Sequence, residues 1–383
     1  MRTDITPENL WDPGNVRWSF AHMREYMPSA TVRRGRAVSP LPRATRDLGG
    51  LSFAHEGRER TLDGVIGDTC VDGLMVIHRG AVIYERYEGN LGPSTNHILQ
   101  SVSKSFTSAL AGVLVGEEVL DPADLVTDHI PELAGTCWDG CTIAHLLDMR
   151  AGVAFDESDY EDMDSESWRG FRALGWTPRL PTDPSPSEYM ASLSNQSEHG
   201  QRYEYRSILT AVLGWCIERA TGQMLSELFS DKIWQPLGAA YDADLLLGPG
   251  LFPLTDGGFC VTLQDLARFG LMFLREGEMD GRQVVPATWV RRLRVPDPDL
   301  IAAFQASADS AGSLSTAFYH DFWWVNDARA GVYSGYGIHG QQVLVHHPSE
   351  TVVARMSSLP HPVDEEADAL ADRAMLALCE SLA

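Results

Sequence analysis

The chain has 383 residues and a formal net charge of −23, from 30 Lys plus Arg against 53 Asp plus Glu, with a pI near 4.8. That excess of acid disfavours nucleic acid and anionic membrane surfaces as partners. No apolar run approaches the roughly 20 residues of a membrane span, and Met1-Arg2-Thr3-Asp4-Ile5-Thr6 carries no basic-then-apolar leader, so a cytoplasmic protein is expected.

The length suffices for a large core in two closely packed lobes. The first elements expected in chain order are two strands at 74–78 and 81–87, joined by Arg79-Gly80 into a hairpin over 72–89. Helices follow at 101–116, 143–149, 187–192, 207–221 and 224–233. Two more are expected at 263–276, where Thr262 caps with Asp265 three residues on, and at 287–293. Strands at 322–325, 342–346 and 351–356 close the chain. A hairpin at each end with helices between predicts an α+β fold: an antiparallel sheet completed by both ends, flanked by helices, plus a mostly helical lobe. On that reading 15–100 and 250–383 form the lobe with the sheet, 101–249 form the helical lobe, and the active site lies between them. The six cysteines, at 70, 137, 141, 216, 260 and 379, are scattered and expected to be reduced. Cys137, Cys141 and His145 have four-residue spacings inside an amphipathic segment and read as structural; neither a metal nor a cofactor is expected.

The chemistry starts from lysine. Lys104 and Lys232 are the only two, against 28 arginines. A chain that uses arginine almost everywhere has kept lysine in Ser101-Val102-Ser103-Lys104. Arginine cannot surrender its proton in a protein, whereas lysine can be made neutral by burial and nearby cations. Ser101 and Lys104 fall on one helix face, and the Ser-x-x-Lys spacing suits a nucleophile and its base. The apolar run 106–115 buries that helix, and Ser101 at its N-terminus meets the positive end of the dipole.

Such a pair needs a further proton-handling group and an oxyanion hole. Tyr205, in Tyr203-Glu204-Tyr205-Arg206-Ser207 just before a helix, offers a phenol; as a lone residue it would read as a core or capping aromatic. Ser334-Gly335-Tyr336-Gly337-Ile338-His339-Gly340-Gln341 leads into a strand. Its glycines would let an edge strand approach a substrate and aim a backbone N–H at an oxyanion, which makes Gly337, Ile338 and His339 candidates for substrate contact. Residues 335–340 match Gly-x-Gly-x-x-Gly but open no helix, which excludes dinucleotide binding. The segment 156–166 holds seven acids without the glycine of a calcium loop and reads as a solvated loop, with Tyr160 placed to lean over a pocket.

Taken in order, Ser101-Val102-Ser103-Lys104, Tyr205-Arg206-Ser207 and Gly335-Tyr336-Gly337-Ile338-His339-Gly340-Gln341 resemble the class C β-lactamase-like serine hydrolases. The likeness is strongest to the 6-aminohexanoate-dimer hydrolase branch and to family VIII-type carboxylesterases. It extends to Asn15-Val16-Arg17-Trp18-Ser19-Phe20-Ala21-His22, Pro131-Glu132-Leu133-Ala134-Gly135, Leu147-Asp148-Met149, Leu213-Gly214-Trp215 and Asp265-Leu266-Ala267-Arg268. The resemblance implies that Ser101 is acylated, that Lys104 is its base and that Tyr205 moves the proton. It also implies an oxyanion hole from the N–H groups of Ser101 and Ile338, a leaving-amine contact at Tyr160 and a pocket wall at Trp176.

Departures narrow the substrate. The second β-lactamase motif usually ends in Asn, where this chain has Ser207. The third is normally Lys-Thr-Gly, where Gly335-Tyr336-Gly337 stands, so the anchor for a penicillin carboxylate is missing. The acid that receives the substrate ammonium in the nylon-oligomer branch falls near Phe171. The expectation is a hydrolase of small esters, and of some amides, with no partner beyond that substrate and a second copy of the chain in a homodimer. Two rivals stand beside it: an acyltransferase passing the same acyl group to an amine, and a catalytically inactive binding relative.

Overall fold

The computed structural model describes residues 2, 4–157, 160 and 165–383. A seven-stranded sheet organises it, built from Val71–His78 (β1), Ala81–Tyr87 (β2), Phe318–His320 (β3), Trp323–Asp327 (β4), Val332–Gly337 (β5), Gln341–His346 (β6) and Thr351–Ser357 (β7). The spatial order is β3-β4-β5-β6-β7-β1-β2, and every neighbouring pair is antiparallel. The early hairpin thus completes a sheet whose other strands come late in the chain, the α+β arrangement expected. Val353 of β7 stands opposite Val76 of β1, and all of β1 and β7 is buried, as befits central strands covered on both faces.

Alternation along the strands separates two cores. Leu74, Val76, Leu344 and Val353 pack with Leu370 and Met375 of the C-terminal helix Glu365–Ser381. Met75, Val343, Val345 and Ala354 belong to the larger core, with the helices Val102–Gly116 (α1), Ser207–Thr221 (α2) and Leu263–Leu274 (α3). Helix α1 runs through the middle of it. Every residue from Val102 to Leu114 is buried, and Phe106 stacks on Phe269 of α3 at 3.9 Å between centroids. The anticipated Thr262 cap is present, its Oγ1 accepting the Asp265 N–H at 3.3 Å.

Three features differ from the sequence reading. A second antiparallel sheet, in the order Ser29–Val32, Ala243–Leu246, Phe259–Val261, His97–Ile98, lies under the start of α1. The helix expected over 224–233 is composite: α over Leu225–Phe229, then π over Ser230–Trp234. There the Gln235 N–H donates to Ser230 O five residues back, just ahead of Pro236, which has no N–H to continue an α ladder. Finally, β5 is not an edge strand. Its pairing with β4 covers only Val332, Tyr333 and Ser334, so residues 335–337 keep one free side although the strand is interior.

All six cysteines are free thiols. Burial pushes the Cys137 thiol up to about 12, and His145 Nδ1 accepts the Thr142 N–H at 3.1 Å, capping the helix Ile143–Leu147. No helix among the described residues is long and apolar enough to cross a membrane.

Candidate active site

The chain enters the site along the short strand His97–Ile98. Leu99 N–H donates to Phe259 O at 2.8 Å, and Ser103 Oγ accepts the Phe259 N–H at 3.1 Å, so both sides of Ser101 are tied to one strand. Between them Gln100 takes a φ of 48°, a conformation uncommon for a side-chain-bearing residue and enriched at functional sites. That turn places Ser101 at the N-cap of α1.

One helical turn on, Lys104 is 1% exposed. Its Nζ donates to Ser101 Oγ at 2.6 Å, to Ser207 Oγ at 2.9 Å and to Asp256 O at 2.9 Å. The same nitrogen lies 5.0 Å from the Tyr205 ring centroid, and the Tyr205 hydroxyl interacts with the side chains of both Ser101 and Lys104. Burial raises the phenol above its ordinary value, and Lys104 opposes that rise. The structure thus brings Ser101, Lys104, Tyr205 and Ser207 together.

Two carboxyl side chains lie around Lys104. Residues 158, 159 and 161–164 of the acidic segment lie outside the described residues, but Glu157 is buried at 8% exposure, a correction to the solvated loop expected there. Its Oε1 accepts from Ser207 Oγ at 2.5 Å and from Tyr160 Oη at 2.6 Å, and its Oε2 accepts the Ser207 N–H at the start of α2. Arg206 holds this arrangement in place. Its buried guanidinium donates to Phe155 O at 3.2 Å and Ala151 O at 3.1 Å, lashing the strand-like segment before Glu157 to the turn that carries Tyr205. Asp256 is the second acid. Burial pushes its carboxyl up to about 6 against the pull of Lys104; Oδ2 accepts from Trp176 Nε1 at 3.0 Å, and Oδ1 has no hydrogen-bond partner among the described residues. Nothing in Thr255-Asp256-Gly257-Gly258 marks it beyond a turn-forming composition.

Gly337 closes the other side. A Cβ built on it would lie 2.6 Å from Leu99 O and 2.9 Å from Ser101 N. Only a hydrogen fits there, so the backbone at Gly337 and Ile338 passes directly beside the Ser101 amide. The next residue departs from expectation. The His339 imidazole is 3% exposed, bonds Leu359 O through Nδ1 at 2.6 Å and meets Phe20 edge-on at 5.0 Å. Burial lowers it to about 4, so it is a neutral core group whose side chain is turned away from any substrate.

Of the expected wall residues, Trp176 joins the site through Asp256. Tyr160 stacks on Phe171 with centroids 6.0 Å apart and reaches it through Glu157. Tyr319 and Trp324 flank Tyr205 at 5.9 and 5.6 Å, an aromatic lining that short, irregular strands hid from the sequence reading.

Behind α1, Ser105 Oγ donates to Phe322 O at 3.0 Å and Phe322 N–H to Leu147 O at 3.0 Å. Beside that tie, His320 bonds Asp148 at 2.7 Å and faces Asp321 at 3.3 Å, which Arg292 also meets at 3.3 Å. Although Asp148, His320 and Asp321 could approach a metal ion, two cationic side chains already balance the two carboxylates. This is an internal ion cluster.

An antiparallel sheet against a buried helix that opens on a Ser-x-x-Lys turn, with a tyrosine facing both residues, defines the β-lactamase-like class. The chain belongs to the beta-lactamase family, whose pattern it matches over residues 61–377. It is 33% identical over 351 residues to the 6-aminohexanoate-dimer hydrolase of Paenarthrobacter ureafaciens, covering 90% of this chain and 86% of that one. Its fold is similar, with a TM-score of 0.90 and 24% identity, to a provisionally assigned 6-aminohexanoate-dimer hydrolase from Bacillus anthracis, covering 100% and 98% of the two chains. A more distant likeness, with a TM-score of 0.63 and 17% identity over 84% of this chain and 97% of the other, is to EstCE1, a hydrolase with promiscuous acyltransferase activity.

Proposed function

We propose that this protein is a serine hydrolase that cleaves small esters, and some amides, through an acyl-enzyme on Ser101. The observation that carries the reading is the 2.6 Å contact between the buried Lys104 Nζ and the half-buried Ser101 Oγ at the start of α1. Ser101 Oγ attacks the acyl carbon and its proton passes to Lys104 or Tyr205, the two groups that meet it. The N–H groups of Ser101 and Ile338 would receive the negative oxygen that develops, a role that the close approach of Gly337 to the Ser101 amide supports. Water then releases the acyl group by the same route in reverse.

The pocket favours uncharged substrates. Gly335 offers no charge to a substrate carboxylate, Phe171 none to an ammonium, and the walls at Trp176, Phe171, Tyr319 and Trp324 are aromatic. A p-nitrophenyl ester of a short acid should show a burst of one equivalent followed by turnover; turnover with no trapped acyl group argues against the acyl-enzyme. A second reading, transfer of the acyl group to an amine, has the support of the fold shared with EstCE1. Product analysis with added amine separates the two.

A further inference from the structure

Five polar groups form one unbroken chain from the nucleophile to Tyr160. Ser101 Oγ meets Lys104 Nζ at 2.6 Å, Lys104 Nζ meets Ser207 Oγ at 2.9 Å, Ser207 Oγ meets Glu157 Oε1 at 2.5 Å, and Glu157 Oε1 meets Tyr160 Oη at 2.6 Å. The donors run in a consistent sense as far as the carboxylate: Lys104 donates to Ser207, and Ser207 donates to Glu157. A hydroxyl that accepts from one side and donates to the other is the group a proton hop requires. Tyr160, half-buried against Phe171, stands at the far end.

We propose that Glu157 is the proton store of this site, and that the chain through Ser207 carries the proton lost by Ser101 to the side of the pocket where the leaving group departs. This rests on the serine-hydrolase reading above. As the Oγ–acyl bond forms, the Ser101 proton passes to Lys104; Lys104 gives a proton to Ser207 Oγ while the Ser207 proton passes to Glu157 Oε1. When the bond from the acyl carbon to the leaving oxygen or nitrogen breaks, that atom keeps the bonding pair. It takes the Tyr160 proton, which Glu157 replaces. Lys104, Ser207, Glu157 and Tyr160 end as they began.

A purely structural role would be different. Glu157 also accepts the first N–H of α2, where a carboxylate stabilises a helix N-terminus. Loss of that contact would lower stability and slow all substrates alike. A proton store matters most where the leaving group cannot depart as an anion. Glu157 is thus a positioning residue whose effect is read in the leaving group.

The test compares two substrates with one acyl group, p-nitrophenyl butyrate and butyranilide, in the full-length protein. Glu157→Gln keeps the shape and an acceptor oxygen but not the charge. It should lower kcat on the anilide on the order of 10²-fold, the scale of general acid–base catalysis, and on the p-nitrophenyl ester by only a few fold. Ser207→Ala, which interrupts the chain without touching the acid, should change the same ratio in the same direction. Combining the two should cost little beyond either one, as expected for members of one relay. Glu157→Asp should recover part of the anilide rate. Equal losses on both substrates, or no loss on either, would overturn the proposal, and thermal melting shows whether equal losses come from misfolding. If the wild-type protein turns over neither substrate, the hydrolase reading itself has failed, whatever Glu157 does.

Discussion

Gly337 is pressed so closely against Ser101 that a Cβ on the glycine would come within 2.9 Å of the serine's amide nitrogen. Its φ of −142° is open to any residue, so the requirement is for space and not for backbone freedom. Gly337→Ala should therefore push β5 off the Ser101 turn and spoil the oxyanion hole. The expected loss in kcat is about 10²–10³-fold, the range found when one oxyanion donor is removed. Melting temperature should change little by comparison, and an alanine variant of near-normal kcat would show that the hole is built elsewhere.

Lys104→Arg should be nearly as damaging as Lys104→Ala, on the order of 10²-fold or more in kcat/KM. Arginine keeps the charge but cannot accept a proton, and the larger fork must displace Ser207 or Asp256 from a site without room. An active arginine variant would leave Tyr205 as the base.

The ion cluster behind α1 makes stability depend on pH. Burial pushes His320 down, yet Asp321 and Asp148 outweigh it and raise the imidazole to about 9 from 6.5, with Arg292 opposing. A group whose folded value is raised stabilises fully below its unfolded value and loses that contribution as pH rises through the folded one. Unfolding free energy should thus fall between pH 6.5 and about 9, on the order of 3 kcal/mol in all. His320→Gln should be less stable at pH 6 and should flatten this slope. Urea titrations at several pH values measure both, and equal slopes would exclude His320 as the source.

Substrate choice should follow the missing charges. Among p-nitrophenyl butyrate, 6-aminohexanoate dimer and nitrocefin, the ester should have the highest kcat/KM. On the proposed reading, Phe171 and Gly335 offer no charge to a substrate's ammonium or carboxylate. Comparable rates on the dimer would point to an acid elsewhere in the site as the partner of its ammonium, and Asp256→Asn would test the nearest candidate, whose Oδ1 has no hydrogen-bond partner among the described residues.

Much of this was legible in the chain. Lys104 stood out because lysine is rare, and the apolar run after it could only be a buried helix. The hairpins showed because β1, β2, β6 and β7 are long and rich in β-branched residues. What stayed hidden depends on contacts distant in sequence. The strands of the second sheet have two to four residues, too few for any period to register. Glu157 is one acid among seven in 156–166, and its burial depends on distant partners: Ser207, which it meets through both carboxylate oxygens, and Arg206, which holds Phe155 and Ala151 before it. His339 looked like a substrate contact because it follows Gly337 and Ile338, but at a φ of 60° its ring turns into the core.

The most direct test of the whole account is mass spectrometry of the intact protein after reaction with a fluorophosphonate. One adduct per chain is expected, on the peptide containing Ser101, with loss of esterase activity in step. Ser101→Ala should take no label. Ser103→Ala should still be labelled, since its hydroxyl is turned away to the Phe259 amide at 3.1 Å. Full labelling of the Ser101→Ala protein, or a labelled residue other than Ser101, would contradict the assignment of the nucleophile and with it the function proposed.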